Sequence, residues 1–423
     1  MMRLIHDAKV TLFLSLPLPV ETDPQPVPAQ SLSDAGVLGL LALLSAFIPL
    51  STDMYLPALP TMTKAFHAPT ALVNLTLILF FVFYSLGTLL WGPLSDKYGR
   101  KAVLLIGLAL YILASIGCAC AAGVYEMIVF RVLQAIAGAC SPAIAIALVK
   151  DLFHGRKRER GLVLIQSMVM IAPIVAPVLG ALLLKFTSWR GVFWTLSGFG
   201  VVALCWSLAL RETVTHHYRG TILQTLGQLG RVLQNPGFSV LLVIFSVVIM
   251  PLYAYLAASS YIYIKEFHLS ALAFSYFFVC NAVSAVLAPL LYLRISHHIA
   301  GLRVLPWCFM VIAASGIAIC TLGQLSPLLL ALSIIPATMA MGMVRPPSTH
   351  LMLEQQHTAI GTASSLITCA MALLGSVGML IMSCGWRSMI VPLGMVHLCA
   401  GIVSGVSWWT VRHRPYIKYE DRV

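Results

Sequence analysis

The sequence predicts an all-α integral membrane fold: twelve transmembrane helices set out as two six-helix pseudo-repeats. Three observations carry this. The 423-residue chain is 60% hydrophobic and 9% charged, with a mean hydropathy of +0.93, against roughly 25% charged residues in soluble domains. Apolar stretches of about 20 residues, each long enough to cross a hydrocarbon core of about 30 Å, recur between short polar breaks. A long polar segment, Arg211 to Gly237, divides them six from six.

The first span, Gly36 to Pro60, is apolar except for Asp53 and closes on Pro57 and Pro60. The second, Thr70 to Ser95, runs into the turn GPLSDKYGRK; the third, Ala102 to Ala122, ends in small residues around Cys118 and Cys120. The fourth, Tyr125 to Val149, holds Arg131 and stops at the basic run KDLFHGRKRERG. The fifth, Gly161 to Leu184, carries two prolines in APIVAPVLGA, and the sixth, Gly191 to Leu210, leads into the polar divider. The seventh to ninth cover Phe238 to Ile264, Ala271 to Leu293 and Val304 to Leu322. The tenth, Pro327 to Leu353, contains Arg345 beside Pro346 and Pro347, and the last two are Gly361 to Ser383 and Met389 to Thr410. The domain division is therefore 1–35, a disordered cytoplasmic lead; 36–210, the first six-helix bundle; 211–237, a cytoplasmic central loop; 238–410, the second bundle; and 411–423, a cytoplasmic tail. Part of TILQTLGQLGRVL has helical spacing, which suits either a surface helix or a plain linker.

A repeat is visible inside the chain. TSWRGVF leaves the fifth span as CGWRSMI leaves the eleventh, and SPAIAIALVK and RPPSTHLMLE each place a proline eight residues before a charge. Parallel repeats of this kind build one large transporter class, with the substrate site near the midplane between halves.

The net charge of +12 does not point to nucleic acid, because the cations fall in alternate loops. With both termini inside, 19 of the 26 Lys and Arg lie in cytoplasmic segments, 5 in periplasmic ones and 2 within spans, which sets the orientation. The basic run at Lys150 to Gly161 reads first as a topology anchor and second as a lipid-headgroup contact. The ten cysteines show no metal-ligand spacing. The short, proline-broken VTLFLSLPLPV followed by ETDPQPVPAQ reads as a disordered lead rather than a signal peptide. No metal, nucleotide or organic cofactor is expected, and no phosphate-binding Gly-Lys motif is present. A membrane enzyme would need a polar catalytic cluster at one interface, and the short periplasmic loops hold none.

Charges inside a membrane cost about 2.5 to 3.5 kcal/mol each on insertion scales and mark function by default. Asp53, Arg131 and Arg345 are the three well inside spans. By helical rise, Asp53 lies roughly 7 Å and Arg131 roughly 9 Å to the periplasmic side of their span centres, so the two can meet. Burial favours the neutral acid and a neighbouring cation the carboxylate, so such an acid can exchange protons. The alternative is a permanently ionised pair tying two helices together. Arg345 either contacts an anionic or hydrogen-bonding substrate group or braces the proline break. Tyr55, Asn74, Gln134, Gln166 and Asn281 are cavity-lining candidates, though each taken singly reads first as an interhelical hydrogen bond. His350 and His397 are membrane-embedded and read as structural.

GPLSDKYGRK, Gly92 to Lys101, combines glycines that permit a tight turn with an Asp96 able to cap a helix or pair with Arg100. It resembles the G-x-x-x-D-x-x-G-R-K/R loop of the major facilitator superfamily. That resemblance implies a cytoplasmic latch between the halves formed by Gly92, Asp96, Gly99, Arg100 and Lys101. RVLQAIAG, from Arg131, resembles the fourth-span R-x-x-Q-G motif associated with proton coupling, with Ala135 in place of glycine. APIVAPVLGA is similar to the fifth-span antiporter motif, keeping Pro177 and Gly180, with Ala172, Ala176 and Ala181 at other small positions; Pro173, Pro177 and Gly180 would form its bend. PLSTDMYLPALP and GTASSL together resemble the bicyclomycin and chloramphenicol resistance group of twelve-span drug/proton antiporters, over roughly Val37 to Arg412. The resemblance implies proton coupling through Asp53 and Arg131, no cofactor beyond the proton gradient, and export of small amphiphilic compounds. It also implies a monomer in a bacterial inner membrane, with both termini cytoplasmic. A dedicated exporter of a metabolite or siderophore keeps the same fold, as does an importer, against which the fifth-span motif argues.

Overall fold

The computed structural model describes residues 32–214, 229–298, 301–356 and 360–418. The lead up to residue 31, most of the central loop and the last five residues lie outside the described residues. Residues 229–233, at the end of the central loop, are helical.

Twelve helical segments are long and apolar enough to cross a membrane, and we number them α1 to α12. They are α1 Asp34–Ala65, α2 Thr70–Tyr98, α3 Arg100–Cys120, α4 Val124–Leu152, α5 Gly155–Phe186 and α6 Trp189–Leu208 in the first half. The second half holds α7 Pro236–Glu266, α8 Ala271–Ser296, α9 Gly301–Thr321, α10 Pro327–Glu354, α11 Gly361–Met382 and α12 Ile390–Val411. Several run a turn or more beyond the apolar stretch, because caps and polar turns extend the helix past the hydrocarbon. Ser33 accepts from the Gly36 amide at 3.2 Å. Asn235 accepts from Gly237 and Phe238 before Pro236 at the first helical position of α7, and Ser326 caps α10. Large apolar side chains such as Leu113, Trp307 and Trp409 stand exposed on the outer surface, where lipid is the neighbour.

The internal repeat is plain in the packing. In the first half α1 lies on α5, α2 on α4, and α3 on both α4 and α6; in the second half α7 lies on α11, α8 on α10, and α9 on both α10 and α12. The same pairs recur displaced by six, as parallel repeats require. The halves meet mainly where α2 touches α11 and α5 touches α8.

Three of the apolar cores show how the halves are arranged. On the side away from the chain termini, one core is shared: Leu50 to Met62, Val73 to Phe81 and Trp189 to Leu196 pack with Ala254 to Tyr263, Phe274 and Met379 to Leu393. On the terminus side the first half has its own core around Leu40, Leu104 and Leu148, and the second half another around Phe238, Phe309 and Leu351. The halves are therefore joined at the far face and part toward the terminus face, leaving a cleft between them.

Candidate functional site

Asp53 sits where the first helix breaks. The regular helix ends at Asp53 itself, Met54 and Tyr55 form a turn, and a short 3-10 segment, Leu56–Ala58, follows with Pro57 inside it, since a proline cannot continue the ladder. Thr52 Oγ1 donates to Asp53 Oδ1 at 3.0 Å, and the residue is 6% exposed. Its helix passes at this point from the first half's own core into the shared one, which places the carboxylate at the base of the cleft.

The α5 motif explains why the break is packed so closely. Ala172, Ala176 and Gly180 are buried along one stripe of α5, and a Cβ built on Gly180 would collide with the Met54 carbonyl oxygen. The small residues thus let α5 approach the turn next to Asp53. The α5 helix runs unbroken through Pro173 and Pro177.

Arg131 is fully buried but does not meet Asp53: among the described residues no ion pair joins them. Its guanidinium donates to the Ser51 carbonyl at 3.1 Å and to Gln134 Oε1 at 2.8 Å. It also lies over three rings, 4.1 Å from the centre of Phe80, 4.7 Å from Tyr55 and 5.8 Å from Phe193. Gln134 passes the network on to Ser115 at 2.8 Å. The helical-rise estimate placed the two groups at similar depth but could not give their azimuth, and in this conformation the aromatic cage and backbone carbonyls hold the cation instead.

The remaining predicted cavity residues divide. Tyr55, hydrogen-bonded to Thr76, and Gln134 are sealed in the first half. Asn74 is fully buried at the joint between halves, its Nδ2 donating to Ser383 Oγ at 3.1 Å. Asn281 accepts from Thr338 at 2.7 Å between α8 and α10. Gln166 and Arg345 are exposed. His350 is exposed rather than embedded and pairs with Glu354 at 2.9 Å, while His397 is buried with Nδ1 on the Leu393 carbonyl.

Two tyrosines that sequence reasoning did not single out complete the cleft base. Tyr253 of α7 lies within electrostatic reach of both Asp53 from the first half and Arg345 from the second. Its ring centre is 4.8 Å from that of Phe81, and Tyr84 is its neighbour. An acid, a phenol and a guanidinium from three helices are thus near enough to feel one another's charge. Among the described residues no three His, Cys, Asp or Glu side chains gather into a metal-binding group.

The loop at Gly92 to Lys101 is built as its residues require. Gly99, at φ 97°, makes the turn from α2 into α3. Arg100 pairs with Asp96 and, at 3.1 Å, with Asp151. The open amides of α3 are capped by Glu212, which accepts from Arg100 N at 2.8 Å and Lys101 N at 3.1 Å, so Asp96 serves as an ion-pair partner rather than the cap. Asp151 and Glu212 lie 51 and 112 residues from Arg100 in sequence, beyond the reach of a local motif.

Residues 41–379 match the Major Facilitator Superfamily. Over 396 residues, 91% of this chain and 96% of the relative, the sequence is 28% identical to the uncharacterized MFS-type transporter YdgK of Bacillus subtilis (strain 168). It is 36% identical over 170 residues, 40% of each chain, to a chloramphenicol resistance protein of Pseudomonas aeruginosa. It is 32% identical over 166 residues to the multidrug resistance protein MdtL of Escherichia coli (strain SMS-3-5 / SECEC), 39% of this chain and 42% of that one. These last two matches span only about two fifths of either relative. Among solved structures, the nucleoside transporter NupG superposes with a TM-score of 0.73 at 14% identity, over 89% of this chain and 98% of that one. The xylose transporter XylE from E. coli, in a partially occluded inward open conformation, gives 0.70 at 13% identity, over 91% and 99%. At such identities the likeness is one of fold.

Proposed function

Because the chain belongs to the Major Facilitator Superfamily, as a multi-pass membrane transporter of small molecules and not an enzyme, we propose that it is a proton-coupled antiporter that exports small amphiphilic compounds by alternating access. The observation that carries this reading is Asp53: a buried carboxylate at a helix break, where α1 passes into the core shared by the halves, with one hydrogen bond from Thr52 and, among the described residues, no cation paired to it. An acid so placed changes its surroundings whenever the halves rock, which is what exchanging a proton between two compartments requires.

The terminus face carries most of the Lys and Arg and is cytoplasmic on that ground. An amphiphile enters the cleft from the cytoplasm and occupies the space beside Asp53, Tyr253 and Arg345. The halves then close on this side, with the Gly92 to Lys101 loop as the latch. A Cβ on Gly92 would meet nothing within 4 Å, so its bare backbone leaves room for the second half to approach. Opening on the far side breaks the Asn74–Ser383 and Lys265–Thr63 hydrogen bonds, exposes Asp53 to the periplasm and loads it with a proton. One charge moved through 100 mV supplies about 2.3 kcal/mol, enough for roughly a fiftyfold gradient. The names of the partial-length relatives support chloramphenicol-like and other amphiphilic drugs as the compounds to test first.

The test is drug accumulation in cells expressing the chain. Chloramphenicol, bicyclomycin or an amphiphilic cation should accumulate less, with the effect abolished by a protonophore and by Asp53→Asn. Unchanged accumulation across the panel, with folded protein in the membrane, overturns the drug reading. Arg345, exposed on α10 within reach of Tyr253, favours a second reading, a dedicated exporter of an anionic metabolite or siderophore. Under it, Arg345→Gln weakens export of anionic compounds at least tenfold and leaves cations unaffected.

A further inference from the structure

A second cavity lies away from the central cleft, on the outer surface between α9 and α12. It encloses about 320 Å³. Pro306, Phe309 and Met310 line one side and Gly401, Gly405 and Trp409 the other, with Arg412 at the terminus-side end. Glycine shapes it. At Gly401 a Cβ would come within 2.6 Å of the Ala313 amide nitrogen, so this glycine keeps the two helices in contact. At Gly405 a Cβ would rest in ordinary contact with Phe309 Cβ at 3.5 Å, so here a side chain fits without a clash and would take up part of the groove. Trp408 fixes the wall from inside, its ring centre 5.8 Å from that of Phe245, while Met310 and Trp409 stand 53% and 68% exposed to the surrounding lipid.

Length and charge indicate the occupant. From Gly401 to Arg412 the groove runs about 16 Å along α12, close to one leaflet of a hydrocarbon core of about 30 Å. Its walls are apolar throughout, and at the end reaching the headgroup level it carries Arg412. Arg303 stands exposed one turn before Pro306, and Arg414 is exposed two residues past Arg412. An apolar trough one acyl chain long, closed by guanidinium groups at the interface, matches a lipid with an anionic head. We propose that the α9–α12 groove is a binding site for an anionic phospholipid of the terminus-side leaflet, with one acyl chain laid over Gly405 and the phosphate held by Arg412 and Arg303.

The experiment uses the full chain in phosphatidylcholine vesicles, titrated with phosphatidylglycerol carrying brominated acyl chains, which quench nearby tryptophan. Brominated phosphatidylcholine is the control. The expected result is a saturable quenching phase for phosphatidylglycerol at low mole fraction, largely removed by Trp409→Phe. Arg412→Gln or Arg303→Gln should each weaken that phase about fivefold for phosphatidylglycerol. Gly405→Leu, whose Cβ meets Phe309 at an ordinary contact distance and whose side chain occupies the groove, should abolish it. Equal quenching by the two lipids, or a phase untouched by Gly405→Leu, would show ordinary boundary lipid and overturn the site. Concentration-dependent cross-linking of two chains that Gly405→Leu removes would overturn it in favour of a second copy in the groove. Each variant is first checked for a monodisperse, helical protein, and Arg303→Gln, at an exposed position, keeps the test open if another variant fails to fold.

Discussion

Ser383→Ala should shift the conformational balance of the transporter toward a state open at the far face. In the closed far face, Asn74 is fully buried, its Oδ1 has no hydrogen-bond partner among the described residues, and its Nδ2 has Ser383 Oγ at 3.1 Å. Removing that hydroxyl leaves a whole buried amide without a protein partner, at a cost of about 1–3 kcal/mol. Opening the far face would let water reach Asn74 and relieve the cost. The open fraction should therefore rise by about 5- to 150-fold. Asn74→Leu makes the opposite prediction, because it fills the same space and leaves nothing to be hydrated, so the closed far face should be held or strengthened. The assay is spin-label distance measurement in a cysteine-free background, with labels at Phe186 and Leu325. These positions are 87% and 70% exposed, at the far ends of α5 and of the α9–α10 connection. A longer-distance population should grow in Ser383→Ala and shrink or stay in Asn74→Leu. If both variants move the distribution the same way, or Ser383→Ala leaves it unchanged, the buried amide is not what closes that face.

Three other substitutions test the scaffold around the site. Gly180→Ala should force α5 away from the Met54 turn, since a Cβ there collides with the Met54 carbonyl; overpacking of this kind costs about 1–3 kcal/mol, read as a lowered midpoint of thermal unfolding. Glu212→Ala uncaps α3 at Arg100 and Lys101 and should cost about 0.5–2 kcal/mol locally, seen as faster amide exchange in the first turn of α3 with the rest of the bundle unchanged. Arg131→Met removes the donor to the Ser51 carbonyl and Gln134 Oε1 and should cost about 1–3 kcal/mol, whereas Gln134→Leu paired with it should recover part of the loss by removing the orphaned acceptor.

Much of this architecture could be read from residue patterns, and the reason is physical. A lipid solvent forces long apolar helices, so hydropathy alone located all twelve spans, with ends within about six residues of the helices' own. Asp53 and Arg131 were conspicuous because a charge in such surroundings is costly. The turn at Gly99 was legible because its positive φ favours glycine. What stayed hidden depends on azimuth and on pairing across distance. Helical rise gives depth but not the direction a side chain points, so Asp53 and Arg131 could be set at one level without their lying on different faces being visible. Tyr253 is an ordinary residue of an apolar span, and nothing local distinguishes it until the fold brings it within electrostatic reach of Asp53 and Arg345. Ser383 lies 309 residues from Asn74, so the joint between the halves could not be inferred from spacing. Glu212 sits in a stretch whose sequence reads only as a linker, yet it caps α3 where that helix leaves the Gly92 to Lys101 loop.

Under the proposed function, substrate leaves in exchange for protons carried by Asp53. The most direct test uses inverted membrane vesicles with an acidified lumen, following a pH-sensitive dye as chloramphenicol, bicyclomycin and amphiphilic cations and anions are added, with wild type beside Asp53→Asn. Substrate-triggered release of protons from the lumen in wild type, absent in the variant, is the predicted result. Proton release that persists in Asp53→Asn, or substrate movement with no proton release in either protein, would contradict it.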